Sequence, residues 1–293
     1  MIQFEQRNQQ TLARAVEIEG TGFLTGASIR LRFNPAPPNT GLVFVRTDLQ
    51  PAVYIPATVE QVSGTQRRTI LGQGAGRVEM VEHVLAALAG LHIDNCLIEL
   101  NAVEPPGLDG SARQFTRCLF RAGIRLQPAF RRIATVTRKT IVEGEGACLA
   151  LHPASQRELK VSYLLDYGPF AAIPPQRHTL VVTPQTFCQE LCDSRTFLLE
   201  EEADMLRRQG LGSRTRPSDL LVFGQRGPID NKLRSGNEPA RHKILDIIGD
   251  FALLGCDLRG HIVAYRSGHT LNIKLVRLLA AFLNDENHSQ CAA

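Results

Sequence analysis

The sequence predicts an α+β protein of two domains related by an internal structural duplication. The chain has 293 residues, which exceeds what one small core organises and suits two domains. In each half, short strand patterns closed by Gly, Pro and Asn turns come before helix patterns. With 43% hydrophobic and 21% charged residues, the composition is that of an ordinary globular protein.

The first half contains the strand patterns first and the helix patterns later. Residues 11–20, 27–36 and 41–48 alternate apolar and polar side chains, which predicts strands. Residues 80–90, MVEHVLAALAG, combine strong helix formers with a glycine stop and predict a helix that ends near Gly90. A strand at 94–100 and a helix that ends at Gly123 complete this half.

The second half repeats this order. We expect a linker near residues 126–131, an N-terminal domain of residues 1–128 that carries Glu82 and His83, and a C-terminal domain of residues 129–293. Three strand patterns follow the linker. Two long helices are predicted, the first within EPARHKILDIIGDFALLG at 238–255 and the last within 270–284.

Charge and targeting signals exclude several classes of protein. The net charge is +4, and most of the positive charge is carried by arginine. Arginine binds phosphate and carboxylate groups well, so an anionic small-molecule substrate fits this excess, and a solvated basic surface fits it equally. No basic run with interleaved aromatics is found and tryptophan is absent, so we expect no nucleic-acid partner. No apolar run approaches membrane-spanning length, and no secretory signal begins the chain. Seven scattered cysteines without a C-x-x-C pair indicate reducing cytoplasm.

The helix predicted at 238–255 carries a polar ladder on an apolar background. His242, Asp246 and Asp250 are spaced by four residues and fall on one helical face. A metal ion would explain them, and so would a buried ion pair. His242 and Asp246 supply only two ligands, whereas a catalytic zinc site needs three and an open position.

Glu82 and His83 are the second candidate cluster. They are neighbours on the otherwise apolar helix pattern at 80–90, and adjacent helical residues point about 100° apart. One can therefore ligate a metal while the other works beside it, with the histidine as ligand and the glutamate as base. The alternative is that Glu82 stabilises the start of the helix through the helix dipole.

His269 and Thr196 are the remaining candidates from the residues alone. His269 follows Ser-Gly between an apolar strand and a helix, where the dipole disfavours its charged form. A carboxylate such as Asp250 would oppose that effect and suit the imidazole to general acid work. Thr196 lies in a turn predicted between helices, where its hydroxyl could donate to an oxyanion.

Together these stretches resemble one family, the UDP-3-O-acyl-N-acetylglucosamine deacetylases, zinc amidases of lipid A biosynthesis. The resemblance runs from about residue 11 to about residue 283. It rests on the order and spacing of five motifs, namely MVEHVLAALAGLHIDN at 80–95, DGSA at 109–112, SRTF at 194–197, RHKILDIIGD at 241–250 and SGHTLN at 267–272.

The resemblance implies a fold and an active site. It implies two similar α+β domains, each a sheet with paired helices, with the helices packed between the two sheets and the site at the domain junction. It implies zinc, with Fe²⁺ as the alternative ion, held by His83, His242 and Asp246. Its implied catalytic residues are Glu82 as general base, His269 as cationic partner of the oxyanion and leaving amine, Asp250 as the group that holds His269, and Thr196 as a donor to the oxyanion.

The resemblance also implies the reaction and the substrate. An N-acetyl group would be removed from a nucleotide-sugar acyl substrate, UDP-3-O-acyl-N-acetylglucosamine, to release acetate in the committed step of lipid A biosynthesis. Substrate contacts fall on Lys243, Tyr167, Phe197 and Arg266, with Tyr167 as a candidate to stack on the uracil ring. We expect a cytoplasmic monomer.

The chain departs from the family pattern away from the expected metal ligands. Leu24 stands where the family has a histidine, and Arg67 and Arg68 replace an apolar stretch. Pro239 precedes the metal helix. A further departure is the stretch at 214–217, which consists of Arg214, Thr215, Arg216 and Pro217. These positions are expected to bear on acyl-chain length and sugar contacts.

Three rival interpretations stay open at this point. The chain could deacetylate another N-acetylated sugar, or it could be a non-catalytic homologue, against which the base and the acid argue. Two histidines and an aspartate could also hold Fe(II) for oxygen chemistry, although that motif is typical of a β scaffold rather than of two helices. The deacetylase interpretation requires His83 and His242 to lie within reach of one ion.

Overall fold

The computed structural model describes residues 2–153, 156–169, 171–212, 214–216 and 219–291. Its helices are α1 (Glu82–Gly90), α2 (Arg113–Ala122), α3 (Pro184–Thr186), α4 (Glu200–Arg208), α5 (Glu238–Phe251) and α6 (His269–Cys291). Its strands are β1 (Ile2–Leu12), β2 (Val16–Thr21), β3 (Ser28–Pro35), β4 (Leu42–Arg46), β5 (Val53–Pro56), β6 (Val62–Gly64), β7 (Ile70–Leu71), β8 (Val78–Glu79), β9 (Cys96–Leu100), β10 (Ile124–Val136), β11 (Thr140–Gly144), β12 (Ala147–His152), β13 (Leu159–Leu165), β14 (Gln176–Val181), β15 (Phe197–Leu199), β16 (Leu221–Gly224), β17 (Gly227–Pro228) and β18 (Asp257–Tyr265). Within this described part of the chain, no helix has both the length and the apolar character that a bilayer crossing requires.

The structure has two large sheets, one that contains β3 and one that contains β18, and the strands of each bury one face. In β3, Ile29, Leu31 and Phe33 are buried while Arg30 and Arg32 are exposed, as the alternation in the sequence predicts. The same alternation runs along β18, the last strand of the chain. Each sheet therefore presents an apolar inner face that a layer of helices covers.

The two halves share one topology, which bears out the predicted duplication of pattern. The first sheet has five strands in the order β2-β3-β9-β4-β5. The second has seven, and five of them, in the order β11-β12-β18-β13-β14, show the same succession of antiparallel and parallel neighbours, while β10 pairs with β18 and β1 with β10. In each half one helix precedes the central strand and one follows it, α1 and α2 around β9 and α5 and α6 around β18.

Each half also receives an insert at the same point, just before its first long helix. The first insert forms the small β6-β7-β8 sheet before α1, and the second forms β15-β16-β17 with α3 and α4 before α5. Both inserts therefore lead directly into the helices that carry the candidate metal ligands.

The helices form the layer between the sheets, as expected. α1 packs against α5 and α2, α2 contacts β2 of the first sheet, and α5 and α6 contact β13, β11 and β12 of the second. Almost every residue of α1 and α5 is buried, and the buried side chains of both halves form one continuous core. The fold is thus the α+β sandwich that the sequence predicts.

The segment predicted as a linker near residues 126–131 is part of strand β10 instead. β10 pairs antiparallel with β1, and a bulge between Asn8 and Gln9 leaves Pro128 outside the register. A proline without an N–H donor is tolerated at such a bulge, so the Pro-containing segment did not have to be a loop. The boundary expected at 128/129 falls within this strand, and the division into domains stays a prediction.

Gly249 allows the closest approach between α1 and α5. A Cβ atom at this position would lie 2.1 Å from the backbone oxygen of Glu82 and 2.8 Å from its carbonyl carbon. Any larger residue would therefore push the two helices apart, and with them the side chains of Glu82 and His83.

We expect Gly249→Ala to lower the free energy of unfolding by about 3 kcal/mol or more, because the obstructing atoms belong to backbone and cannot rotate away. Urea unfolding followed by circular dichroism measures this change. Gly236→Ala is the matched control, since nothing lies within 4 Å of a Cβ at that position. Equal unfolding midpoints for the two variants would contradict the role of Gly249.

Candidate functional site

Three side chains from the two duplicated helices meet at one point. His83 lies in the first turn of α1, and His242 and Asp246 lie one turn apart on α5. The Nε2 atoms of His83 and His242 are 3.0 Å apart, and Nε2 of His83 is 3.6 Å from Oδ1 of Asp246. One ligand atom from each of the three residues lies within 4.8 Å of the others. The structure therefore brings together the residues that the sequence nominated as ligands.

The polar atoms at this point fit a divalent cation. Nδ1 of His242 and Oδ1 of Asp246 are buried and have no hydrogen-bond partner among the described residues. An unpaired buried carboxylate oxygen is costly, and a cation shared by the two imidazoles and this carboxylate removes that cost for Oδ1 of Asp246. Burial lowers the pKa of His242 to about 3, against the attraction of Asp246, so its imidazole is neutral and able to ligate. The His83 side chain keeps 14% exposure, which leaves one side accessible.

Glu82 lies beside this cluster and outside the ligand set. Its side chain is buried, and its Oε2 accepts a hydrogen bond of 3.2 Å from the backbone N–H of Thr69. Glu82 is also the first residue of α1, so the alternative of a favourable interaction with the helix dipole is compatible with its position. Burial raises the pKa of Glu82, while His269 and His83 oppose that rise.

His269 and Asp250 form a buried ion pair next to Glu82. Nδ1 of His269 is 2.8 Å from Oδ2 of Asp250, and Asp250 also accepts bonds from Thr69 Oγ1 at 2.6 Å and from Asn272 Nδ2 at 2.8 Å. Burial alone would lower the pKa of His269, but Asp250 outweighs it and raises that pKa to about 9. The imidazole is thus cationic near neutral pH, although it lies at the N-terminus of α6.

Thr196 and Lys243 flank the metal cluster. Oγ1 of Thr196 lies 3.3 Å from Nε2 of His242, in the loop that leads into β15 rather than in a turn directly between helices. Lys243 donates a hydrogen bond of 2.7 Å to Oδ2 of Asp246. Burial alone would lower the pKa of Lys243, but the carboxylate of Asp246 favours the charged amine, and the net effect is a raised pKa. Lys243 therefore neutralises part of the charge of Asp246.

The aromatic candidates form a row that starts at His242. The ring centroid of Phe197 is 5.6 Å from that of His242 and 6.3 Å from that of Tyr167, each pair in edge-to-face contact. Arg266 is not part of this row. Its guanidinium lies 6.0 Å from the ring centroid of Tyr265 at the surface.

A largely apolar cavity that opens to solvent begins beside Thr196. The second insert contributes most of its apolar wall, including Leu198, Leu206 and Val222. Most of the positions that depart from the family pattern also line it, namely Leu24, Arg67, Arg68, Thr215 and Arg216. The cavity therefore gathers departures that are scattered along the sequence.

Contacts between the halves close the wall of this cavity. Arg67 forms an ion pair of 3.1 Å with Glu202 of α4, and Thr215 Oγ1 donates to the carbonyl of Phe23 at 3.3 Å. Arg214 lies outside the lining and donates to the carbonyl of Gly26. Of the other departures, Pro239 occupies the first turn of α5, where a proline needs no partner, and Pro217 lies outside the described residues.

Several residues that hold the catalytic candidates in place were not predicted from the sequence. Thr69 donates hydrogen bonds to both Glu82 and Asp250, yet in the sequence it only follows the unusual pair Arg67 and Arg68. Asn272 lay within the quoted SGHTLN motif without a role. Arg195 and Glu238 form a buried pair at 2.8 Å that anchors the loop of Thr196. The partners in these contacts are far apart in the sequence, so no local pattern identifies them.

The α+β sandwich and this site define a metal-dependent amidohydrolase, since two imidazoles and a carboxylate that can share one ion lie beside a buried carboxyl group and a cationic imidazole. The sequence profile of the family UDP-3-O-acyl N-acetylglycosamine deacetylase matches residues 9–281. The chain belongs to this family.

Individual relatives carry the same name. The chain is 38% identical to a UDP-3-O-acyl-N-acetylglucosamine deacetylase of Myxococcus xanthus, over 92% of this chain and 85% of the relative. It is 38% identical to such a protein from a Nostoc species, over 94% of this chain and 99% of the relative. It is 40% identical to one from Thermosynechococcus vestitus, over 93% of this chain and 94% of the relative. The match therefore extends over almost the whole of each protein.

We expect purified protein to carry about one divalent ion per chain and His242→Ala to lose it, because two ligands bind far more weakly than three. Elemental analysis after dialysis measures the content, and a chelator should lower the melting temperature of wild type and of the control variant but not that of His242→Ala. His261→Ala is the control, since His261 bonds Ser162 on the second sheet. Equal metal content in the two variants would contradict this assignment.

Proposed function

We propose that the chain removes the N-acetyl group of UDP-3-O-acyl-N-acetylglucosamine and releases acetate and UDP-3-O-acyl-glucosamine, in lipid A biosynthesis. The observation that carries the proposal is the meeting of His83, His242 and Asp246 beside Glu82 and His269, in a chain of the deacetylase family. The bound ion is Zn²⁺ in this proposal, with Fe²⁺ as the alternative that the same ligands accept.

The ion supplies two effects when bound, a lower pKa for a water molecule and polarisation of the acetamide carbonyl. Glu82 acts as the general base that takes the proton of the attacking water. Its burial and raised pKa suit it to hold a proton between two steps, and the Thr69 N–H engages Oε2, which fixes the orientation of the carboxylate.

His269 completes the reaction as the cationic partner. Asp250 holds Nδ1 of His269, so Nε2 is the atom left to donate to the oxygen that gains charge and to the departing nitrogen. Thr196 donates from the opposite side through its hydroxyl. The water oxygen forms the new C–O bond to the acetyl carbon as Glu82 takes its proton. As the C–N bond breaks, the nitrogen receives a proton from Nε2 of His269 and leaves as the amine, the acetyl group leaves as acetate, and the proton on Glu82 restores His269.

The proposed substrate contacts divide between two regions. Lys243 and the aromatic row of Tyr167 and Phe197 receive the sugar and the uracil ring, and Arg266 at the surface nearby attracts the diphosphate. The acyl chain enters the apolar cavity, whose lining shares Thr196 with the reaction centre. We further propose that the protein works in the cytoplasm as a monomer.

An acetate-release assay tests the whole proposal. The substrates are UDP-3-O-acyl-N-acetylglucosamine with a series of acyl lengths, together with UDP-N-acetylglucosamine without an acyl chain, each with and without a chelator. We expect release that needs both the ion and the acyl chain. Release from other N-acetylated sugars alone would favour the rival deacetylase, and no release by metal-loaded protein would favour a non-catalytic homologue.

We expect Glu82→Ala to keep its metal and to lose about 10²–10⁴-fold in kcat, the usual contribution of a positioned general base. Elemental analysis and acetate release on the same sample separate the two effects. Glu60→Ala is the control, because Glu60 is an exposed glutamate in the first insert. Turnover within a few-fold of wild type for Glu82→Ala would show that another group takes the proton.

We expect Leu206→Phe to shorten the preferred acyl chain, because the larger ring occupies space in the cavity. Each methylene that no longer buries costs about 0.8 kcal/mol, or roughly fourfold in kcat/KM, so long substrates should suffer more than short ones. Met205→Phe on the same helix is the control, since Met205 is exposed and lies outside the lining. An equal loss for all lengths would place the acyl chain elsewhere.

A further inference from the structure

The segment between Gly110 and Val142 is strongly biased in charge. It contains eight arginine or lysine residues and neither aspartate nor glutamate, although the whole chain has a net charge of only +4. The rest of the chain is therefore net acidic. Neither the metal cluster nor the apolar cavity uses this segment, so the proposed reaction does not explain the bias.

Helix α2 aligns part of this charge on one face. Arg113, Arg117 and Arg121 are spaced by four residues, so they form no compact basic run in the sequence and share a face only in the helix. This spacing is why the sequence analysis found no basic run with interleaved aromatics. An open depression along α2 is bounded by these three arginines, Gln114 and, at one end, Asp109.

Large apolar side chains are exposed where α2 passes into β10. Phe120 is 54% exposed, Ile124 is 38% exposed and Leu126 is 67% exposed. Phe120 lies one turn from Arg117, and Ile124 and Leu126 follow within the first three residues of β10. We call the surface formed by Arg117, Phe120, Arg121, Ile124, Arg125 and Leu126 the α2–β10 corner.

The cations of this corner are free of acidic partners. No described carboxylate lies within ion-pair distance of Arg117, Arg121 or Arg125, and all three are exposed. Arg14 extends the corner, since its guanidinium donates to the carbonyl of Arg121 at 2.8 Å. Two other arginines of the segment do have acidic partners, Arg113 with Asp193 and Arg131 with Asp94. The corner therefore offers positive charge that the protein itself does not neutralise.

We propose that the α2–β10 corner docks the protein on the surface of an anionic lipid bilayer. Exposed arginines are attracted to anionic headgroups, while exposed phenylalanine and aliphatic side chains enter the headgroup and acyl boundary. The long arginine side chains keep their charge at the headgroups while the apolar groups enter deeper. This peripheral contact goes beyond the proposed deacetylation and does not depend on it.

The chemistry of the corner favours a bilayer over the other anionic partners. Nucleic-acid surfaces that use apolar side chains rely on aromatic stacking, and two of the three apolar groups here are aliphatic. An acidic protein partner needs a shaped surface, whereas the depression on α2 is open. A bilayer takes arginine and aliphatic groups together without a fixed shape.

Vesicle flotation of the full chain tests this proposal. The vesicles contain equal parts of phosphatidylglycerol and phosphatidylcholine, or phosphatidylcholine alone. We expect binding to the anionic vesicles only, and loss of binding at about 1 M salt, where the screening length is only about 3 Å. Arg117→Gln with Arg121→Gln should weaken the partition coefficient roughly 30-fold, and Phe120→Ser should weaken it at unchanged charge.

The matched control is Arg30→Gln with Arg32→Gln, which removes the same charge from the exposed face of β3. Thermal unfolding confirms that each variant folds, and acetate release in the absence of vesicles should be unchanged in all of them. Equal weakening by the control, equal binding to uncharged vesicles, or no flotation of wild type would each overturn the proposal. Tighter binding to a DNA duplex that competes with the vesicles would also overturn it, in favour of a nucleic acid.

Discussion

The contact between α1 and α5 at Gly249 is the constraint on which the site depends. At this point a hydrogen atom is all that fits between the backbones, since a Cβ would lie 2.1 Å from the carbonyl oxygen of Glu82. The approach brings His83 of one helix to within 3.0 Å of His242 of the other. It also places Glu82, adjacent to His83, next to the ligand cluster without joining it. A single close packing contact thus sets both the geometry of the candidate ligands and the position of the proposed base.

Burial then decides how each of these groups behaves. The same desolvation that raises the pKa of Glu82 lowers the pKa of His242, because both lose the stabilisation of their charged forms by water. His269 is equally buried but keeps its proton, because Asp250 contacts it directly and Thr69 and Asn272 orient that carboxylate. Acid, base and ligand therefore differ through their immediate neighbours rather than through their depth in the protein.

Periodicity in the sequence predicted the long helices and most strands, and spacing by four singled out His242 and Asp246, because both are local signals. His83 joined them as a ligand only through the resemblance to the family. The sequence did not predict β1, whose residues Gln3, Gln6, Asn8 and Gln10 show no apolar alternation and which exists through its pairing with β10. It also treated Pro128 as a sign of a linker, whereas the bulge accommodates it. Supporting contacts such as Thr69 with Asp250 join residues 181 positions apart, and nothing in either stretch alone indicates them.

The inserts enter both halves at equivalent points, directly ahead of α1 and α5, and they build the cavity while the paired helices carry the reacting groups. Mutations in the cavity wall can therefore accumulate without displacing the ion-binding side chains, which explains why so many of this chain's unusual residues are found there. The shape of the cavity in such a scaffold can change while the candidate reaction centre stays the same. The architecture thus separates the cavity wall, where substitutions are tolerated, from the paired helices, where the reacting groups must keep their positions.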